Sequence, residues 1–128
     1  MEREVIMTRA IRGAICAENT TTSILANTKT LLGTILETNS LHLSQIISIT
    51  FTCTKDLDAI YPAVAARDMG LVQTSLMCVA EMDVAGAMQG LIRVQVLAEM
   101  DMPQNDVRHI YLGEAEALRP DLIKDGAS

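Results

Sequence analysis

Three charged residues stand where charge is costly. Arg93 lies in Leu91-Ile92-Arg93-Val94-Gln95-Val96, Arg12 in Ala10-Ile11-Arg12-Gly13-Ala14, and Glu81 closes Leu76-Met77-Cys78-Val79-Ala80-Glu81. An ion buried in an apolar strand must be paired or must meet a ligand. Two readings fit. Either Glu81 and Arg93 neutralise each other, or reach water at strand ends, or the arginines and the glutamate converge on a polar ligand. Arg9 and Arg12 are three apart, so on a regular strand they face opposite ways, and one can face a site while the other faces water.

The sequence lacks the common catalytic sets. His42 and His109 are its only histidines, too far apart for metal-ligand spacing, and His109 reads as a surface or strand-end residue. There is no GxSxG, phosphate-binding glycine loop or dinucleotide fingerprint. Cys78 has no neighbouring base in sequence and reads as a small buried residue. Tyr61 and Tyr111, by type alone, read as packing residues. A site without acid–base machinery suits a reaction that needs none, and no metal or cofactor is expected.

The composition narrows the class. The chain has 128 residues, a length suited to one domain spanning 1–128. Its hydrophobic fraction of 49% with 20% charged residues describes a globular chain. Mean hydropathy is positive at +0.26, and a subunit interface is the ordinary destination for surplus apolar surface. The net charge of −6 argues against nucleic acid and anionic membrane as partners. Positive charge is carried by seven Arg and only three Lys, and Arg is the better residue for bidentate recognition of carboxylate. The cysteines are Cys16, Cys53 and Cys78, an odd set without a CxxC pair. Reduced thiols in the cytoplasm are the simplest reading. No signal peptide is visible after Met1, and no apolar run approaches the ~20 residues of a membrane span.

The elements that must position these residues alternate. Ile6 to Cys16 reads as a strand. Thr20 to about Thr38 is helical, with Ile24, Leu25, Leu31, Leu32, Ile35 and Leu36 at three- and four-residue spacing. Gln45 to Thr54 is a β-branched strand. Pro62 opens a short helix that Gly70 stops. Ser75 to Met82 and Leu91 to Met100 are strands, and Gly86 to Gly90 is a turn. Arg108 to Leu118 can form a fifth strand, although Glu-Ala-Glu-Ala also suits a helix. A tail begins at about Arg119. The order β-α-β-α-β-β-β predicts right-handed crossovers, parallel neighbouring strands and helices on one face of the sheet.

Several fragments together resemble a known family. They are Ile11-Arg12-Gly13-Ala14 with Glu18, Asp56-Leu57-Asp58-Ala59-Ile60-Tyr61-Pro62-Ala63 with Arg67, Glu81-Met82-Asp83-Val84 with Gly86, Ile92-Arg93-Val94, Arg108-His109-Ile110-Tyr111-Leu112, and Leu118-Arg119-Pro120-Asp121-Leu122. In this order and spacing, over roughly residues 7 to 122, the chain resembles the monofunctional trimeric chorismate mutases. The resemblance implies an α/β (α+β) fold, with a mixed sheet carrying helices on one face, that forms a pseudo α/β barrel as a homotrimer. It implies active sites at the subunit interfaces, rearrangement of chorismate to prephenate, and no cofactor.

The same resemblance assigns residues. Arg93 is expected to hydrogen-bond the ether oxygen, Glu81 to accept from the ring hydroxyl, and Arg12 and Tyr111 to bind carboxylate. Cys78 is expected to line the pocket near the hydroxyl, with Met77, Val79 and Ala80 of the same strand adding contacts. Tyr61 is expected to form an apolar wall, and Arg67, Leu118 and Arg119 a rim where a flexible tail closes. Met77 stands where the family usually has a small polar residue, and Tyr61 where it usually has Phe. A trimeric imine-deaminase-like protein of similar barrel, or a non-catalytic small-acid-binding module, is the alternative. The Glu81–Arg93–Tyr111 set favours the mutase.

Overall fold

The longest element is an amphipathic helix with a well-defined start. Thr20 is extended and its hydroxyl accepts from the Ser23 backbone N–H, the usual cap of an exposed N-terminus. α1 then runs over Thr21–Thr38 and buries Ile24, Thr28, Leu31, Leu32 and Ile35, one stripe at helical spacing. Thr28 is tolerated there because its hydroxyl donates to the Ile24 carbonyl at 2.7 Å. Past the helix end, the buried Asn39 amide donates to the Ile35 and Arg108 carbonyls and accepts from the Arg108 N–H, which ties α1 to the segment entering the last strand.

The computed structural model of the chain describes residues 6–122. Five strands form one mixed sheet: β1 (Met7–Cys16), β2 (Ile46–Cys53), β3 (Ser75–Ala80), β4 (Leu91–Met100) and β5 (Ile110–Tyr111), in the order β3-β2-β4-β1-β5. β4 is antiparallel to β1 and to β2, whereas β2–β3 and β1–β5 are parallel pairs. A second helix, α2 (Ala63–Asp68), follows Pro62 and ends at Gly70, whose φ of 104° only glycine adopts readily. α1 packs on β1 and β5, and α2 on β3 and on α1.

Three expectations are corrected. β1 and β2 are not neighbours: β4 sits between them and pairs with β1 along ten residues, from Met7↔Met100 to Cys16↔Leu91. A long apolar strand can fill both edges of its backbone, and Leu91–Met100 is the strand able to do so. Second, the run from Arg108 to Leu118 is extended only at Ile110–Tyr111. Gly113, at φ 59°, turns the chain into a 3-10 segment over Gly113–Leu118, where Glu and Ala are poor strand formers. Third, β3 stops at Ala80 rather than Met82. Of the expected tail, Pro120–Leu122 forms a 3-10 turn, and residues beyond 122 lie outside the described part.

Strand alternation then divides the side chains. On β4, Ile92, Val94, Val96, Ala98 and Met100 are buried toward the helices, and Arg93, Gln95 and Glu99 are exposed on the other face. Register extends that open face: Thr52 and Ala14 flank Arg93, Thr50 and Arg12 flank Gln95, Met77 pairs with Thr50, Val79 with Thr52 and Tyr111 with Ala14. Arg9 lies on the opposite side from Arg12, its Nε donating to the Met102 carbonyl at 2.7 Å.

Gly13 is where the helix approaches most closely. A Cβ there would meet Ile35 Cδ1 at 2.9 Å, Val94 Cγ2 at 3.0 Å and Leu31 Cδ1 at 3.1 Å. Gly13→Ala is therefore expected to destabilise the fold by ~1–3 kcal/mol, read as a lower denaturation midpoint. An unchanged midpoint would mean that α1 is free to shift.

Candidate active site

The open face of the sheet carries a clasped ion pair. Arg93 Nε donates to Glu81 Oε1 at 2.8 Å and Nη2 to Oε2 at 2.6 Å. Glu81 lies just past β3, held by its backbone N–H to the Cys53 carbonyl at 3.0 Å. Its side chain is only 13% exposed, against 49% for Arg93. Arg93 holds the Glu81 carboxyl below the usual range and outweighs the opposing effect of burial, with Thr52 adding a hydrogen bond. In return Glu81 raises the already basic guanidinium. Nη1 of Arg93 takes no part in this clasp.

Around the pair the sheet forms a concave surface. A hollow of about 270 Å³ is lined by Arg12, Gly13, Thr50, Thr52, Arg93, Val94, Gln95 and Tyr111. A second, of about 330 Å³, continues from Arg93 over Glu81 to Met82, Val84, Met88, Leu91 and Leu118. Arg12 is exposed, and its backbone N–H donates to His109 Nδ1 at 2.9 Å. His109 thus fastens β1 to the approach of β5. Tyr111 is buried in a small cluster with Ala14, Leu91 and Ala115, against which Leu118 packs. Arg119 pairs with Asp121 at 2.9 Å.

A different hollow, of about 590 Å³, holds other expected residues. Tyr61, Cys78, Val79 and Ala80 line it, with Leu57, Asp58, Ala59, Ile60 and Pro62. Tyr61 is 71% exposed. Cys78 pairs with Phe51, on the helix-facing side of the sheet, and its thiol lies by Ala63 and Arg67. Burial is the main cause raising the Cys78 thiol, and it pushes Cys53 up to about 11, so neither is a thiolate at neutral pH. Of the two hollows beside Arg93, only the one over Glu81 shares residues with this one, namely Thr54 and Lys55.

Within one chain, then, Arg12, Glu81, Arg93, Tyr111 and Leu118 come together, with Arg119 at their margin. Tyr61, Arg67 and Cys78 form a separate group. Met77 lies on the open face next to Thr50, 59% exposed. Sequence reading missed Thr50, Thr52 and Gln95 because their place depends on β4 lying between β1 and β2. It also missed the loop supports. The Thr54 hydroxyl accepts from the Leu91 N–H at 3.0 Å, and the Asp56 carboxylate accepts from the Gly90 N–H at 3.2 Å. These bonds set where β4 begins and hence where Arg93 stands. Among the described residues no group of His, Cys, Asp and Glu is arranged to hold a metal ion.

Residues 8–122 match the family model described as chorismate mutase type I. The chain is 40% identical over 119 residues to chorismate mutase AroH of Bacillus subtilis (strain 168), covering 91% of this chain and 94% of that one. It is 42% identical over 118 residues to chorismate mutase AroH of Thermus thermophilus, covering 91% and 97%. Among solved structures, a chorismate mutase from Clostridium thermocellum superposes with a TM-score of 0.83 at 47% identity, over 84% of this chain and 97% of that chain.

The ion pair sets a pH dependence. Because the folded Glu81 carboxyl titrates below its unfolded value, its stabilisation is complete above the ordinary glutamate range. It is lost as pH falls through the depressed value. Carboxyl-carbon NMR is expected to give Glu81 a midpoint below the ordinary glutamate range, and Arg93→Met to raise that midpoint. A midpoint indifferent to Arg93 would mean that the clasp does not persist in solution.

Proposed function

The chain belongs to the type I chorismate mutase family, and from that premise we propose how its residues carry out the reaction. It is an isomerase of aromatic amino acid biosynthesis that converts chorismate to prephenate. The rearrangement is unimolecular and pericyclic. One C–C bond forms as the ether C–O bond breaks, without nucleophile, proton transfer or cofactor. What remains for the protein is to hold the flexible ether in its compact reactive shape and to place fixed charge where charge develops.

In this reading Arg93 donates to the ether oxygen through its unclasped N–H groups, and Glu81 accepts from the ring hydroxyl. Arg12 and the Tyr111 phenol bind carboxylate. The observation that carries the reading is the Arg93–Glu81 clasp at 2.6 and 2.8 Å beside Arg12 and Tyr111 on the open sheet face. A guanidinium already fixed by a carboxylate needs little reorganisation when the oxygen gains charge. Arg12, with Arg119 at the rim, suits a substrate with two carboxylates. Leu118 and Arg119 form the rim.

The reading extends to assembly. Tyr61 and Cys78 line a hollow that none of Arg12, Glu81, Arg93 or Tyr111 lines, with Arg67 beside the Cys78 thiol, so each chain carries two incomplete halves. A homotrimer in which each half meets the complementary half of a neighbour gives complete sites at the subunit interfaces, in a pseudo α/β barrel. Val79, Met77 and Met82 are apolar and exposed in the single chain, which supports such a partner surface. A cytoplasmic location fits the free cysteines, and no helix among the described residues is long and apolar enough to cross a membrane.

Loss of chorismate's ultraviolet absorbance tests the activity. The unmodified chain is expected to turn over, and Arg93→Ala to lose ~10²–10³ in kcat while folding normally. Binding without turnover would instead describe a small-acid-binding module. Shared sites have their own signature. Arg93→Ala and Arg67→Ala subunits, each crippled alone, should regain about a quarter of the sites when co-assembled at equal amounts, as random mixing around a closed ring dictates. No recovery on mixing would place each site within one chain.

A further inference from the structure

Thr52 lies on β2, in register with Arg93 on one side and Val79 on the other. Its hydroxyl donates to Glu81 Oε1 at 2.5 Å, and the same oxygen accepts from Arg93 Nε at 2.8 Å. Oε2 accepts from Arg93 Nη2 at 2.6 Å, and the Met82 backbone N–H adds its own hydrogen bond to the carboxylate. A carboxylate oxygen offers one lone pair on each side. Oε1 is therefore filled by two side-chain donors, whereas Oε2 has one.

We propose that Thr52 is a positioning residue for the mutase reaction: its hydroxyl fills Oε1 and fixes the Glu81 carboxylate, leaving Oε2 to accept from the substrate's ring hydroxyl and Arg93 Nη1 to face the ether oxygen. The proposal rests on the roles given above to Glu81 and Arg93. Its physical content is rotational. The terminal torsion of a glutamate is soft, and an arginine alone tolerates sliding from a two-oxygen to a one-oxygen grip. A third donor from a different direction removes that freedom. Thr is suited to the task because branching at Cβ limits its χ1, so the hydroxyl direction is set by the strand. In a β-branched run Thr52 looks like strand propensity alone, and only the register beside Arg93 gives it a second role.

Thr52→Val keeps the shape and deletes the donor, while Thr52→Ser keeps the donor. In Thr52→Val, kcat is expected to fall about tenfold, as for loss of a hydrogen bond to a charged group, with KM changed much less. The acid limb of the rate profile should move to higher pH, because the lost bond had favoured the charged carboxylate. Thr52→Ser should stay within about threefold of the parent with an unmoved acid limb. Parental turnover and an unmoved acid limb in Thr52→Val would overturn the proposal. An equal loss in Thr52→Ser would also overturn it, since packing would then be the cause. Should Thr52→Val fail to fold, Thr52→Ala makes the same deletion. Absence of turnover in the unmodified chain would instead sink the mutase reading beneath it.

Discussion

A guanidinium rising from the middle of an apolar strand has to be held, and the hold that Glu81 supplies orders the surrounding structure. Arg93 interrupts a run of buried β4 residues, and Glu81 is 13% exposed. Arg93 keeps half its side chain in water, and the more enclosed Glu81 has both carboxylate oxygens bonded. Their meeting depends on the strand order. β2 lies between β3 and β4, so Thr52 separates Val79 from Arg93, and alternation carries the chain from Val79 to Glu81 on the same face. The supports beneath serve that placement, with Thr54 and Asp56 bonding the start of β4.

The sheet keeps its main core on one face and the Arg93–Glu81 clasp on the other. The helix side is filled by Ile11, Ile24, Leu31, Ile35, Phe51, Val94 and Val96 in one core, and Gly13 admits α1 to close contact. The open side carries Arg12, Arg93, Thr50 and Thr52. A core packed mainly on the helix side fixes the strands and leaves the open face free to carry charge. Strand-borne groups are also more precisely held than groups on loops, and Arg12 and Arg93 are carried by β1 and β4.

What the sequence discloses and what it hides follow from the range of the interactions. α1 was legible because its stripe of Ile24, Leu31, Leu32 and Ile35 and its Thr20 cap are local. Leu91–Met100 was legible for the same reason. The strand order was not: that β4 separates β1 from β2 depends on pairings between residues far apart in the chain, from Cys16↔Leu91 to Met7↔Met100, and no local pattern encodes it. The length of β5 was misjudged because Gly113 turns the chain only in competition with the apolar residues before it. Arg93, Glu81 and Arg12 were visible as charges in apolar runs. Thr52 was invisible as anything but a strand former, since its significance is a neighbour on another strand. The division of Cys78 from Glu81, three residues apart yet on opposite faces of the sheet, is plain once β3 is given a register.

The choice of arginine over lysine at residue 93 follows from the same geometry. An ammonium engaged by Glu81 would be a point charge centred on its partner, and any ligand would have to compete for it. The guanidinium spreads its donors around a plane. Nε and Nη2 are spent on Glu81, and the remaining N–H groups point along other directions with their orientation already fixed. The pair can therefore stay intact while a ligand binds, so the carboxylate that neutralises Arg93 in the empty chain also aims it. Glu81 gains likewise, because its depressed titration keeps it an acceptor throughout the neutral range. A hydroxyl donor and an ether oxygen on one ligand could then be met at the same time by two groups that were already bonded to each other.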